Sequence, residues 1–260
     1  MTEPLVAPLV HLTVQDGVAL VRLNRLDKRN ALNEAMISEL EDALDGARRD
    51  DEVRVIVIAG SEKVFCAGGD ISMFTELNSE SGYAFTRRGF DLLRVLETTE
   101  KPVIAAVDGY CLAGGFEIAL ACDFIIAGTR ARFGFGEVDL GLIPGWGGTV
   151  RAARALPVRR ARQLIMTSER IDADEAHRLG AVNEVVEAGQ AEERAVAIAQ
   201  ELAGKPPLAI KVAKMTIAQA DDATSIDAAL AVERSACAAL FGTDDVKRLA
   251  QRWIDAAARA

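Results

Sequence analysis

The stretch from Gly109 to Gly148, GYCLAGGFEIALACDFIIAGTRARFGFGEVDLGLIPGWGG, decides how the rest of the chain is interpreted. Glycine clusters stand at both of its ends, and two glutamates, Glu117 and Glu137, lie among small and apolar residues. A carboxylate in such surroundings is costly to desolvate unless a partner compensates. Carboxylates of this kind are either structural ion pairs or tuned acids and bases, and the stretch alone leaves both open.

Short apolar segments alternate with helical patterns on the N-terminal side of this stretch and inside it. Buried strands are predicted at 53–59, 103–107 and 122–127, and the chain between them has helical periodicity. Two β-rich runs at 9–14 and 18–23 flank an Asp-Gly turn and predict a hairpin. Strand, loop, helix and strand in this order are typical of an α/β fold with a parallel sheet.

The last third of the chain is predicted to be almost entirely helical. Alanine-rich helical patterns follow one another without a low-complexity linker, at 190–203, 206–220, 222–240 and 243–258. Their thin apolar faces suit packing on a partner subunit, and packing within the same chain is the open alternative.

Composition excludes several classes of protein. The 260 residues carry a net charge of -9, which argues against non-specific nucleic-acid binding. The four cysteines form no C-x-x-C pair or metal-ligand spacing, and with two histidines a histidine-centred triad has few candidates. Residues 1–12 lack a basic segment and contain two prolines, and no run approaches the ~20 apolar residues of a membrane span. We expect a cytoplasmic protein without a nucleic-acid or membrane partner.

Two glycine loops, at 65–71 and 109–115, directly follow apolar strands. Glycine lets backbone N–H groups approach a ligand closely, and Gly114-Gly115 precedes a predicted helix whose N-terminus favours negative charge. Two such loops facing each other would form an oxyanion hole, whereas the alternative is that they only make tight turns. P-loop and G-x-S-x-G motifs are absent from the sequence.

The two glutamates also have structural alternatives. Glu137 has two arginines nearby in sequence, Arg130 and Arg132, as candidate ion-pair partners. Glu117 lies about one helical turn after Gly114, where a cap or ion pair is the alternative to chemistry. Two carboxylates act as acid and base when their environments separate their proton affinities.

Four segments in order carry a resemblance to the crotonase, or enoyl-CoA hydratase/isomerase, superfamily. They are NRLDKRNALN (24–33), VRVIVIAGSEKVFCAGGDI (53–71), KPVIAAVDGYCLAGGFEIALACDFIIA (101–127) and FGFGEVDLGLIPGWGGT (133–149). The resemblance implies an α/β, crotonase-like fold of repeated ββα units with a helical C-terminal region. It divides the chain into a core at 1–195 and a helical oligomerisation region at 196–260, and it implies a homotrimer or a dimer of trimers.

The resemblance also implies an acyl-CoA thioester as substrate, with coenzyme A part of that substrate and no separate cofactor or metal. The backbone N–H groups of Gly69 and Gly114 would hold the thioester oxygen, and Glu117 and Glu137 would be the catalytic pair, with Gly145 positioning the water. Both glutamates together favour hydration of a 2-enoyl-CoA. Isomerisation of a 3-enoyl-CoA, another acyl-CoA reaction, or acyl-CoA binding without turnover are the alternatives.

The resemblance gives further residues to substrate binding and marks where this chain departs from the family. The binding residues it implies are Lys28, Arg29, Ala31, Ala67, Asp70 and Ile71. Gly136 stands where proline is usual, and Trp146 where a small residue or phenylalanine is common. The family's C-terminal lysine contact to CoA phosphate has no counterpart here, and Arg252 and Arg259 are candidate substitutes.

Overall fold

A computed structural model describes residues 7–257 of the chain. The first six residues and Arg259 lie outside the described residues, so the structure does not bear on the predictions made for them. No helix among residues 7–257 is both long and apolar enough to cross a membrane. Within the same range, no cluster of three or more histidine, cysteine, aspartate or glutamate side chains could hold a metal ion.

The strands form two sheets. The larger one has the order β1-β2-β3-β5-β7-β10, and the smaller one has the order β4-β6-β8-β9. In chain order the strands are β1 (Val10–Gln15), β2 (Val18–Leu23), β3 (Val55–Ala59), β4 (Val64–Cys66), β5 (Val103–Val107), β6 (Tyr110–Leu112), β7 (Phe124–Gly128), β8 (Arg132–Gly134), β9 (Arg170–Asp172) and β10 (Glu184–Val186).

Helices follow the strands in a regular order and then make up the end of the chain. Their bounds are α1 (Glu34–Arg49), α2 (Ser79–Thr98), α3 (Gly114–Ala121), α4 (Gly148–Ala155), α5 (Val158–Thr167), α6 (Ala173–Leu179), α7 (Ala191–Ala203), α8 (Pro207–Asp222), α9 (Ile226–Leu240) and α10 (Asp244–Ala257).

The unit of the fold is a pair of strands followed by a helix. In the units β3-β4-α2, β5-β6-α3 and β7-β8-α4, the first strand joins the larger sheet and the second joins the smaller one. Within each sheet these strands pair in parallel. The carboxyl ends of β4, β6 and β8 therefore meet along one edge, where ligand sites gather in open α/β sheets.

One large apolar core fills the space between the two sheets and the helices packed on them. A smaller core covers the other face of the larger sheet, where Ala191, Ala195 and Ala199 of α7 pack against β3 and β5. The helix α7 therefore runs across position 195/196, at which the predicted core and oligomerisation region divide. The small alanine side chains let this helix lie close to the sheet.

Several predicted elements are confirmed. The first hairpin is antiparallel with a two-residue turn, and both turn residues have positive φ (Asp16 51°, Gly17 78°), as a type I′ turn requires. The strands predicted at 53–59 and 103–107 are present within one or two residues of their predicted limits.

Other predictions were wrong in detail. The loops predicted at 65–71 and 109–115 each contain residues of a three-residue strand, β4 or β6. The helical periodicity of residues 83–98 also predicts that Phe90 faces inward, but its side chain is 45% exposed. Residues 149–167 have a helical pattern that predicts one helix, but they form two. Pro157 separates α4 from α5, because proline has no N–H to continue a helix.

The helices α8, α9 and α10 differ from α1 to α7 because none of their side chains is buried. Large apolar side chains lie open on and between them, including Ile217, Ile226 and Phe241, each about 70% exposed. Lys214 joins α8 to the core, and its Nζ lies 2.7 Å from Asp123 and 3.0 Å from the Lys101 carbonyl oxygen.

Candidate active site

A cavity of about 800 Å³ opens at the edge where β4, β6 and β8 end. Its walls come from the loops after these strands, from the first half of α2, and from the segment that leads into α4. Seven predicted site residues line it: Ala67, Gly69, Ile71, Gly114, Glu117, Glu137 and Gly145.

Glu117 lies one turn into α3 and is 2% exposed. Its Oε1 accepts hydrogen bonds from two backbone N–H groups, those of Trp146 (2.8 Å) and Gly148 (2.7 Å). The other carboxylate oxygen takes part in neither bond. The ion-pair alternative therefore does not apply among the described residues. The cap alternative holds for α4 rather than α3, because Gly148, one of the two donors, is the first residue of α4.

Burial raises the pKa of Glu117 to about 7, and the nearby Glu137 carboxylate adds to the rise. The hydrogen bonds from Gly148 and Trp146 act in the opposite direction, because they stabilise the ionised form. A carboxyl group with such a pKa exchanges its proton near neutral pH, as a catalytic acid or base must.

Glu137 is the first residue of a 3-10 helix, Glu137–Leu140, and is half-buried. Its Oε2 is shielded from solvent and has no hydrogen-bond partner among the described residues. Burial raises the pKa of this carboxyl group as well. A buried oxygen without a partner is expected where a substrate or water completes the site.

Neither arginine suggested by the sequence pairs with Glu137. Arg130 points to Glu62, with 3.5 Å between guanidinium and carboxylate. Arg132 donates to the carbonyl oxygens of Thr129 and Ala131. The ion-pair alternative for Glu137 is therefore wrong for the described residues.

The two glycine loops touch each other at the bottom of the cavity. A Cβ placed on Gly114 would lie 3.6 Å from the Cα of Gly68. The N–H groups of Gly69 and Gly114 donate to no backbone or side-chain acceptor among the described residues, whereas Asp70 and Ala113 both donate. Two free N–H groups on touching loops can together bind one oxygen atom that carries negative charge.

Ala113, between these loops and α3, has a backbone conformation that is unusual for a residue with a side chain. Its φ is 52° and its ψ is -126°. Such strain costs of order 1–3 kcal/mol and is found most often at functional sites. Here it turns the chain sharply from β6 into the helix, so that the free N–H of Gly114 stands at the helix N-terminus.

Polar residues that the sequence did not single out hold the first glycine loop. Asn30 is fully buried, donates to the Phe65 carbonyl oxygen (2.8 Å), and accepts from the Arg25 N–H (2.8 Å). The Arg25 guanidinium reaches Asp70 at 2.7 Å and the Ala31 carbonyl oxygen at 2.8 Å. Hydrogen bonds from Ser72 and Arg25 lower the pKa of Asp70.

Four residues predicted to bind substrate do not line the cavity: Lys28, Arg29, Ala31 and Asp70. Lys28 and Arg29 are exposed beside the first glycine loop, where the Arg29 carbonyl oxygen accepts from the Ala67 N–H at 3.1 Å. Ala31 and Asp70 face Arg25 instead. Arg252 is exposed on α10, and no residue of that helix lines the cavity.

Arg151 is a supporting residue that sequence analysis missed. Its guanidinium donates to the Trp146 carbonyl oxygen at 2.6 Å and to Glu97 of α2 at 2.5 Å. It thus ties the segment that holds Glu117 to a neighbouring helix. No local pattern could have indicated this, because Glu97 is 54 residues away in the chain.

The chain belongs to the enoyl-CoA hydratase/isomerase family, whose sequence model matches residues 13–257. Over 239 residues it is 43% identical to the short-chain-enoyl-CoA hydratase of Clostridium acetobutylicum, with 92% of this chain and 91% of that protein covered. Over 234 residues it is 39% identical to the crotonyl-CoA hydratase of Syntrophomonas wolfei, with 90% of each covered.

The fold is similar to that of a crystal structure of enoyl-CoA hydratase from Bacillus anthracis. The TM-score is 0.90 at 34% identity, with 95% of this chain and 96% of that chain covered. The predicted crotonase-like α/β fold of ββα units with a helical C-terminal region is confirmed.

Proposed function

We propose that this protein is an enoyl-CoA hydratase that adds water across the C2–C3 double bond of a 2-enoyl-CoA. The observation that carries the proposal is the pair of buried carboxylates, Glu117 and Glu137, in one cavity with two free backbone N–H groups. The family and the relatives, named short-chain-enoyl-CoA and crotonyl-CoA hydratases, support this reaction.

The N–H groups of Gly69 and Gly114 form the oxyanion hole in this proposal. Attack on C3 moves electrons onto the thioester oxygen, and the enolate that forms carries its charge there. Backbone donors already in place stabilise that charge without reorganisation. Losing one such donor typically raises the activation barrier by about 3 kcal/mol. The N-terminus of α3 at Gly114 adds to this stabilisation.

The two glutamates manage the protons. The oxygen of one water bonds to C3, one of its protons moves to the carboxylate pair, and the pair delivers a proton to C2 as the enolate collapses. The Gly145 N–H, in the same cavity wall, helps to hold the water. The two glutamates suit different tasks. Glu137, whose Oε2 has no partner among the described residues, suits proton transfer, and Glu117, whose carboxylate is fixed, suits holding the water in place.

Coenzyme A enters this proposal as part of the substrate, and the chemistry described needs no separate cofactor. Ala67 and Ile71 border the path from the oxyanion hole to the surface. Lys28 and Arg29 are exposed, and in this proposal they meet the CoA phosphates. We assign Ala31 and Asp70 to holding the first glycine loop, at 65–71, rather than to contacting the substrate.

We further propose that the C-terminal helices assemble the protein into a trimer or a dimer of trimers in the cytoplasm. The open apolar side chains of α8 to α10 support an assembly in which partner subunits cover them. Light scattering at several protein concentrations tests the stoichiometry.

Assays with wild type, Glu117→Gln and Glu137→Gln test the reaction. We expect wild type to consume crotonyl-CoA, seen as loss of its enoyl absorbance, and each variant to lose about 10²- to 10⁴-fold in kcat. Circular dichroism and binding of butyryl-CoA check that the variants are folded. Full activity in both variants would overturn the mechanism, and faster conversion of a 3-enoyl-CoA than of crotonyl-CoA would make the protein an isomerase.

A further inference from the structure

The Trp146 side chain stands between the oxyanion hole and α2. It is 4% exposed and forms part of the cavity wall. A Cβ placed on Gly114 would lie 3.7 Å from its Cε3 atom. The indole therefore packs beside Gly114, whose N–H is one of the two proposed oxyanion donors.

The indole has space only because residue 89 is glycine. A Cβ on Gly89 would overlap with three of its ring atoms, Cε2, Cδ2 and Nε1. Gly89 is a buried residue in the middle of α2, where glycine is unfavourable for the helix by about 0.5–1 kcal/mol relative to alanine. The pair therefore fits as one unit, with the large side chain of one residue filling the space left by the other.

Aromatic neighbours keep the indole in place. The Phe85 ring lies 5.5 Å from it at an angle of 52°, and Phe74 meets Phe85 edge-on at 6.0 Å. Aromatic pairs at such distances stabilise each other beyond the area they bury. An acyl chain leaving the oxyanion hole toward α2 would meet a wall that is backed by a helix and has little room to yield.

We propose that Trp146, seated on Gly89, ends the acyl part of the cavity and restricts the protein to short enoyl groups. This inference rests on the proposed function for the identity of the ligand. The backbone and side chain of Trp146 have separate tasks, because its N–H holds Glu117 while its indole limits the acyl chain. A side-chain substitution therefore changes chain-length preference without removing the donor to Glu117.

Binding of saturated acyl-CoAs tests the inference independently of turnover. Calorimetry would compare butyryl-, hexanoyl- and octanoyl-CoA with free CoA for wild type, Trp146→Ala and Trp146→Phe. A single methylene in a hydrophobic pocket changes discrimination about 10- to 200-fold. We expect Trp146→Ala to raise the affinity for octanoyl-CoA relative to butyryl-CoA at least 10-fold compared with wild type. Trp146→Phe should show a preference between those of the other two proteins, and the affinity for free CoA should be unchanged.

The fit between the two residues gives a second test. Gly89→Ala alone should force the indole into the cavity and weaken binding of every acyl-CoA. In the Trp146→Ala background the same change should have little effect, because no indole remains to be displaced. Thermal unfolding of the four proteins measures this coupling separately from ligand binding, and it remains informative if one variant is poorly folded.

Trp253 offers a matched control, since it is the other tryptophan of the chain and lies 79% exposed on α10. Trp253→Phe should keep the wild-type chain-length profile and leaves Trp146 as the sole indole, whose fluorescence should change with butyryl-CoA. An unchanged preference in both Trp146 variants would overturn the inference even if crotonyl-CoA is hydrated. If wild type turns over no enoyl-CoA, the proposed function fails, and the acyl-CoA binding profile still decides the inference.

Discussion

The surroundings of the two glutamates differ more than their shared cavity suggests. Glu117 is 2% exposed, and one of its oxygens is fixed by two backbone N–H groups. Glu137 is half-buried at the start of a short 3-10 helix, and one of its oxygens has no partner among the described residues. One carboxylate is held by the fold, whereas the other is left for a ligand to complete.

This difference shows how one fold can give two chemically identical groups different surroundings and different hydrogen-bond partners. Burial raises the pKa of both carboxyl groups, and backbone N–H groups act in the opposite direction at both. For Glu117 these donors belong to a distant segment, Trp146 and Gly148, whereas for Glu137 they are local, its own N–H and that of Gly136. We call the surroundings of Glu117 tight and those of Glu137 loose, because one Glu137 oxygen has no partner among the described residues. Substitutions at and around the two glutamates test whether the difference between a tight and a loose environment controls catalysis, stability and proton affinity.

The largest effect is expected where space around Glu117 is removed. A Cβ on Gly148 would lie 2.8 Å from both Cγ and Oε1 of Glu117, so Gly148→Ala must displace the carboxylate. Because a 1 Å misplacement of a catalytic group can cost about 10²-fold, we expect a loss of about that size in kcat for crotonyl-CoA hydration, measured at saturating substrate.

The matched control is the glycine beside the other glutamate. Nothing lies within 4 Å of a Cβ on Gly136, and its φ of -119° is open to any residue with a side chain except proline. Gly136→Ala should therefore keep kcat within about twofold. Equal losses of kcat in Gly148→Ala and Gly136→Ala would show that the tight environment of Glu117 does not control catalysis.

A smaller effect concerns stability and its dependence on pH. The folded pKa of Glu117, about 7, lies above its ordinary value of 4.5, so the folded state binds this proton more tightly than the unfolded state. That contribution to stability is fully present below pH 4.5 and is lost as the pH rises through 7. Glu117→Gln cannot ionise, and should be more stable than wild type by about 1–3 kcal/mol at pH 8.

Denaturant unfolding at pH 4.5, 6 and 8 measures the difference. We expect the gain from Glu117→Gln to be small at pH 4.5, to grow between pH 4.5 and 7, and then to stay constant. Glu137→Gln should gain less, because Glu137 is less deeply buried than Glu117. A gain independent of pH would mean that ionisation of Glu117 does not cost stability.

The sequence predicted the parts of the fold and of the site that depend on local chemistry. The Asp16-Gly17 turn needs positive φ at both positions, and short polar or glycine residues are the ones that supply it. The glutamates were conspicuous because carboxylates are rare among apolar neighbours. The resemblance of four segments, in order, to one family then assigned the glutamates to the same site as Gly69 and Gly114. The roles of these residues stay predictions.

What sequence analysis missed depends on contacts between distant segments. The strands β4, β6 and β8 have three residues each, too few to show alternation, and pairing with neighbours is what defines them. The two N–H groups that hold Glu117 lie 29 and 31 residues away from it in the chain. Backbone donors leave no trace in a side-chain pattern, so only the fold could reveal them.

The smallest expected effect is the influence of one glutamate on the proton of the other. Burial is the main cause of the raised Glu117 pKa, and the nearby charge of Glu137 is a lesser one. Removing that charge favours ionisation, so Glu137→Gln should lower the pKa of Glu117 below about 7 while leaving it above 4.5. Infrared difference titration of the carboxyl band measures this pKa.

Glu62→Gln is the control for this titration, since Glu62 is exposed and lies outside the cavity. It should leave the Glu117 titration unchanged, because an exposed charge is screened by water and salt. If Glu137→Gln also leaves it unchanged, the two carboxylates do not share a proton in the free protein. The difference between their proton affinities would then come from burial alone, and the Glu137 carboxylate would act only after substrate has entered.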